Sequence, residues 1–140
     1  MNQIVSNPAR VYTFVREFVP VPIVAGSQAL GLEKDGELVS GVIYEGFNGH
    51  NVWMHVAAAP GKRWMTKLYL QTCFYYPFVT LGCSRVSGYV EDRNEAAKAF
   101  DEHLGFKREA VLKGAATDGG DVILYVMRRE DCRFLSEKTQ

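Results

Sequence analysis

His55 lies in the run NVWMHVAAA (51–59). An imidazole with its ordinary pKa of about 6.5 can take up or give away one proton near neutral pH. A lone histidine on a strand also serves packing or the surface, so both roles stay open. Glu33 and Glu45, on neighbouring strand-like runs, are rival bases, anions for a cationic ligand, or solvent-facing positions. A second stretch with chemistry is AAAPGKRWMTK (57–67). A Pro-Gly turn entering a helix presents free amides and the positive end of the helix dipole to an anion. Lys62 and Arg63 add two cations there and Thr66 a hydroxyl, while Trp64 reads as packing on the helix start. The bland alternative for the pair is a solvated basic corner. His50 and His103 read as solvated.

The elements that must carry these residues are marked by turns and caps. Asn7-Pro8 opens a helix with Val11, Phe14, Val15 and Phe18 as its apolar stripe, and Pro20 and Pro22 stop it. Asp35-Gly36 and Asn48-Gly49 predict two tight hairpins, hence an antiparallel meander over 29–58. Residues 62–76 read as a helix with Met65, Leu68, Tyr69, Thr72 and Cys73 on one face, closed by Pro77. Residues 85–91 read as a strand. Asn94 then caps a helix whose stripe is Ala97, Phe100 and Leu104, and Gly105 ends it. Residues 106–115 and 121–129 make a last antiparallel pair, and 1–5 a short first strand. One mixed α/β domain over 1–140 is expected.

Composition narrows the classes. The 140 residues, 47% of them hydrophobic, suffice for a packed core. Sixteen basic and sixteen acidic side chains cancel, which argues against nucleic acid as a partner. Cys73, Cys83 and Cys132 are odd in number, and neither they nor the histidines show metal-ligand spacing. Reduced thiols, no metal and a cytoplasmic location are the expectation. The start MNQIVSNPAR has no basic end followed by an apolar run, and the longest apolar stretches are too interrupted to span a bilayer. No membrane partner is expected. The aromatic segment Tyr75, Tyr76 and Phe78 around Pro77 reads as core or a protein contact, and Arg128, Arg129 and Arg133 as solvated.

The stretch NEAAKAFDEHLGF (94–106) resembles the C-terminal signature of the GNAT superfamily of acyl-CoA-dependent N-acyltransferases. Asn94, Ala97, Phe100, Gly105 and Phe106 carry that resemblance, and Glu109, Asp121, Tyr125 and Met127 extend it toward the RimJ/RimL-like branch. Ala110 stands where that branch often has Gly. Small proteins with this ending are often phage-encoded, which would imply a host-modifying or accessory role.

The resemblance implies a mostly antiparallel sheet of six to seven strands with about three helices. It also implies a splayed strand pair, the fourth and fifth, that admits the pantetheine arm of acetyl-CoA. By this analogy Val56, Ala57 and Ala58 line the wedge, and Gly61, Lys62, Arg63, Trp64, Met65 and Thr66 meet the phosphates. Asn94, Ala97 and Phe100 complete the cofactor site. The family's glycine-rich phosphate loop is reduced here to Gly61. Its usual tyrosine acid, seven residues past the asparagine, is Asp101, a carboxylate ordinarily ionised at pH 7. Tyr89 or Tyr125 would then substitute as acid and His55 would act as base. The implied acceptor is an amine on a small molecule or protein N-terminus, and a homodimer is common in the family. A non-catalytic CoA-binding or protein-interaction module is the rival reading.

Overall fold

The computed structural model describes residues 1–22 and 24–135. Along the chain come β1 (Asn2–Val5), α1 (Pro8–Val15), β2 (Gln28–Lys34), β3 (Glu37–Glu45) and β4 (Asn51–Ala58). Then follow α2 (Lys67–Tyr75), β5 (Arg85–Glu91), α3 (Glu95–Leu104), β6 (Lys107–Leu112) and β7 (Val122–Arg128). The strands form one seven-stranded sheet in the order β1-β2-β3-β4-β5-β7-β6. Every neighbouring pair is antiparallel except β4 and β5, which run parallel. The architecture is a mixed, mostly antiparallel α/β fold with helices on both faces.

Local chemistry explains the elements. Asp35 (φ 52°) and Gly36 (φ 87°) occupy the left-handed region and join β2 to β3 in two residues. Asn7, Thr66 and Asn94 each accept a first-turn amide at the start of α1, α2 and α3. Gly105, at φ 113°, ends α3. On one face α1 packs Val11, Tyr12 and Val15 against Ala29, Ile43 and Ala57. It lies so close that a Cβ on Gly41 would meet Val15 Cγ2 at 2.8 Å. On the other face Tyr69, Phe74, Phe78, Leu104 and Phe106 cover Val42, Tyr44, Val86 and Tyr125. Burying a side chain as fully as Phe74 or Phe78 contributes about 2–3 kcal/mol relative to exposure.

Several expectations need correcting. The first helix stops at Val15, where Phe18 N–H donates to Val15 O in a tightened turn, so Phe18 leaves the stripe and is 37% exposed. The Asn48-Gly49 hairpin is a wider loop over 46–50, because Asn48 Oδ1 accepts the amides of His50 and Asn51 instead of leaving a two-residue turn. The second helix begins at Lys67 rather than 62, since Thr66 is its cap, and that phase turns Leu68 to solvent (67% exposed).

Pro77 does not close the second helix either. The chain continues through a π-turn over Tyr76–Thr80, in which Leu81 N–H donates to Tyr76 O at 2.9 Å. Proline has no N–H for the carbonyl four residues earlier, Cys73 O, and the Tyr44 hydroxyl donates to it instead at 2.6 Å. Of the aromatic segment, Phe78 is core, Tyr76 half-buried and Tyr75 exposed. Arg133 is not simply solvated: it donates to His103 O and Leu104 O at the end of α3.

Candidate active site

The parallel pairing of β4 and β5 is short. Asn51 pairs with Arg85, Val52 with Val86 and Trp53 with Ser87, and beyond that register the strands part. Their ends, with α3 and the segment after α1, enclose a cleft of about 370 Å³. Its lining includes Met54, His55 and Val56 from β4 and Tyr89, Val90 and Glu91 from β5. From β4's other edge Val56, Ala57 and Ala58 pair with Val42, Gly41 and Ser40, leaving the wedge side of these residues without a strand.

His55 is 5% exposed, and its Nε2 has no hydrogen-bond partner among the described residues. Glu45 Oε2 lies 3.4 Å from that nitrogen, an ionic contact without hydrogen-bond alignment. Burial pushes the imidazole pKa below its ordinary value and outweighs the upward pull of the Glu45 carboxylate. A neutral ring with a bare nitrogen is what a proton acceptor requires. Tyr89 meets the ring edge-on, with centroids 5.0 Å apart, and Trp53 meets Tyr89 in turn at 6.0 Å. Burial, then Glu45 and Glu91, raises the Tyr89 hydroxyl above the usual phenol range.

Across the cleft α3 presents Asn94, Ala97 and Asp101, positions that share one helical face. Asn94 Oδ1 accepts the Ala97 amide at 3.1 Å, so its side-chain oxygen caps the helix. Asp101 is 8% exposed, and among the described residues nothing hydrogen-bonds its carboxyl. Burial, with a smaller push from Glu102, raises its pKa to about 8. Burial thus sets Asp101 apart from the ordinary, ionised carboxylate expected at this position. Glu91 contrasts with it. The Thr117 amide and hydroxyl and the Arg93 guanidinium donate to Glu91, and the carboxyl is held below its usual range. Arg93 also pairs with Asp118 at 3.4 Å.

The loop into α2 borders the wedge but is not part of the cleft lining. Gly61 (φ 72°) is open, with nothing within 4 Å of where a Cβ would stand. Lys62 and Arg63 are exposed and make no ion pair among the described residues. The amides of Arg63, Met65, Lys67 and Leu68 have no partner among the described residues, and the Thr66 hydroxyl serves the Tyr69 amide. These free donors and two free cations fit a phosphate group. Trp64 is 8% exposed and packs edge-on against Phe100 at 5.4 Å, so it belongs to the core between α2 and α3.

The structure thus gathers His55, Val56, Tyr89, Asn94 and Ala97 in one cleft. Tyr125 is not brought there: it is 1% exposed, its hydroxyl donates to Glu102 at 2.6 Å, and its pKa is pushed up to about 12. Glu33 is paired with Arg10 instead. Sequence reading missed Phe18, Val19 and Pro20 as a cleft wall, because a helix stop signal does not say where the freed chain goes. It also missed Glu91 and Arg93, although their place at the end of β5 beside Asn94 was a usable signal. Among the described residues no group of His, Cys, Asp and Glu gathers as a metal site, and no helix is long and apolar enough to cross a membrane.

No family model and no curated protein matches the sequence. Solved structures do match it. A mutant of the spermidine N-acetyltransferase SpeG from Vibrio cholerae superposes with a TM-score of 0.75 over 98% of both chains at 12% identity. The spermidine/spermine N-acetyltransferase SpeG from the same organism, in complex with manganese ions, gives 0.71 at 13% identity, covering 91% of this chain and 92% of that one. A probable acetyltransferase gives 0.61 at 19% identity, covering 76% of this chain and 64% of the other. At these identities the likeness speaks for the fold alone. The splayed parallel pair and the antiparallel strands around it give this chain the GNAT fold.

Proposed function

We propose that the chain is an acetyl-CoA-dependent N-acetyltransferase that passes its acetyl group to a primary amine by direct attack on the thioester. The observation that carries this reading is a buried, neutral His55 with a bare Nε2 inside a wedge that opens after three residue pairs. In this reading the pantetheine arm lies along Val56, Ala57 and Ala58, against Asn94 and Ala97. The phosphates meet Gly61, Lys62, Arg63 and the free amides of Arg63 and Met65.

Acetyl-CoA supplies an activated acyl carbon, and the chain supplies position and proton handling. His55 Nε2 takes one proton from the amine as it attacks. Tyr89 holds the imidazole plane, and backbone N–H groups of β4 stabilise negative charge on the thioester oxygen. Glu45, on the same side of the sheet as His55, offers a carboxylate to an arriving ammonium ion. The three cysteines are free and buried, which accords with a reducing compartment.

Calorimetric titration with acetyl-CoA tests the cofactor. Thiol release in the presence of spermidine, lysine, a peptide with a free N-terminus and kanamycin tests transfer. Binding in the micromolar range and turnover of at least one amine are expected. No heat at millimolar acetyl-CoA overturns the reading.

A further inference from the structure

The cleft has two sides, because alternate residues of a strand face opposite ways. Met54, Val56 and Val90 belong to the core under α2 and α3. His55 pairs with Ile43 and stands two residues before Ala57, both of which pack under α1. Tyr89 meets His55 on that same face, and Glu91 follows it by alternation. In the reading above acetyl-CoA occupies the α3 side, which leaves the α1 side to the acceptor. The wall there is the segment after α1, with Phe18, Val19 and Pro20.

The fold itself fixes that wall. Val21 is buried with Ile43 and Ala57, and Val19 packs on the same cluster. Phe18 leans on Phe14 with ring centroids 5.2 Å apart, and the Tyr12 hydroxyl reaches Pro22 O at 3.3 Å. An apolar wall is thus held in one cleft with the Tyr89 ring.

The charges on this side are already spoken for. Glu45 lies 3.4 Å from His55 Nε2, so its carboxylate stands where the reacting nitrogen must come. Glu91 accepts the Thr117 amide and hydroxyl and the Arg93 guanidinium. Arg93, which also lines the cleft, is itself a cation. The remaining carboxyl of the lining, Asp101, belongs to α3 on the cofactor side. Beyond Glu45, the described residues of the α1 side offer a second ammonium ion only hydrocarbon or a guanidinium.

We propose that the acceptor is a primary monoamine on an apolar body, an alkyl or arylalkyl amine, and that Phe18, Val19 and Pro20 select it over polyamines. This acceptor class rests on the acetyltransferase reading above and deepens it. An ammonium ion taken out of water without a partner costs far more than a methyl group gains, so the selection works chiefly by exclusion.

Pentylamine and putrescine decide it, because they match in length and differ only in a terminal methyl or ammonium group. With acetyl-CoA, wild-type kcat/KM is expected to be about a hundredfold higher for pentylamine. From propylamine to pentylamine it should rise about fourfold per methylene. Phe18 is 37% exposed, so Phe18→Glu spares the core. That variant should lower the pentylamine-to-putrescine ratio by about tenfold or more, mainly through KM, with acetyl-CoA binding by calorimetry unchanged. Three results overturn this acceptor class and leave the cofactor reading standing: equal or better use of putrescine, no turnover of pentylamine by a chain that binds acetyl-CoA, or an unmoved ratio in Phe18→Glu. A wild-type chain that binds no acetyl-CoA overturns the transferase reading and this acceptor class with it.

Discussion

Gly88 on β5 faces Met54 on β4 across the point where the two strands separate, and a Cβ on Gly88 would stand 3.3 Å from the Met54 carbonyl oxygen. The last paired residues, Trp53 and Ser87, lie one step before it. The absence of a side chain at Gly88 therefore keeps the apex of the wedge open. Gly88→Val should fill that apex and weaken acetyl-CoA binding at least tenfold, about 1.4 kcal/mol. Calorimetry checks the affinity, and unchanged far-ultraviolet circular dichroism would show that the loss is local.

The two cations after Gly61 make a separable claim. If they face phosphates, Lys62→Ala with Arg63→Ala should loosen acetyl-CoA by roughly tenfold or more. Acetyl-pantetheine, which lacks those phosphates, should bind the double variant and the wild type alike. Equal weakening of both ligands would instead place the effect in the wedge or the fold.

His55 should leave a mark on stability as well as on rate. Its folded pKa lies below the about 6.5 of an unfolded chain. Between those two values the unfolded chain binds a proton that the native state refuses. The native state therefore loses stability as pH falls from about 6.5 toward the folded value. Thermal melts between pH 7.5 and 5 should show wild type losing more than His55→Gln, and parallel curves would mean the ring is not held neutral. Both proteins keep Asp101, so the difference isolates the histidine.

Asp101 acts in the opposite sense. Its folded pKa of about 8 lies above the ordinary carboxylate value of about 4, so the native state holds a proton that the unfolded chain releases. Stability is thus lost as pH rises from about 4 through 8, by at most ~6 kcal/mol at about 1.4 kcal/mol per unit. Asp101→Asn should melt higher than wild type at pH 8, with the advantage fading by pH 4.5. No difference at pH 8 would show the carboxyl to be ionised without cost.

The Tyr44 hydroxyl donates to the carbonyl that Pro77 leaves unserved. Tyr44→Phe keeps the ring and strands that buried acceptor, so denaturant melts should lose about 1–3 kcal/mol. A change below about 0.3 kcal/mol would show that the carbonyl finds another donor.

Much of the frame was legible because its signals are local. The β5 bounds read directly as 85–91, and Asn94 with Gly105 brackets α3 through side-chain capping and a left-handed residue. The two-residue turn at Asp35 and Gly36 likewise needs only its own φ values. What failed to read was whatever depends on a distant partner. Pro77 looks like a helix stop until Tyr44, far away in sequence, takes over the vacant carbonyl. Thr66 reads as a phosphate hydroxyl until the helix phase makes it a cap. Asp101 reads as an ordinary carboxylate because its burial is created by the sheet against which α3 lies. Tyr125 reads as a candidate acid because nothing nearby reveals its bond to Glu102.

The contacts of Arg133 have a practical consequence. Its guanidinium ties the carbonyls of His103 and Leu104 to the final turn, while Phe134 stacks on Phe74 at 5.1 Å. That turn works as a buckle between the two helices flanking the proposed cofactor groove. A protein trimmed ahead of Arg133 would leave the far end of the helix bearing Asn94 and Asp101 held by Leu104 and the Glu102 contacts alone, with no tie to its neighbour.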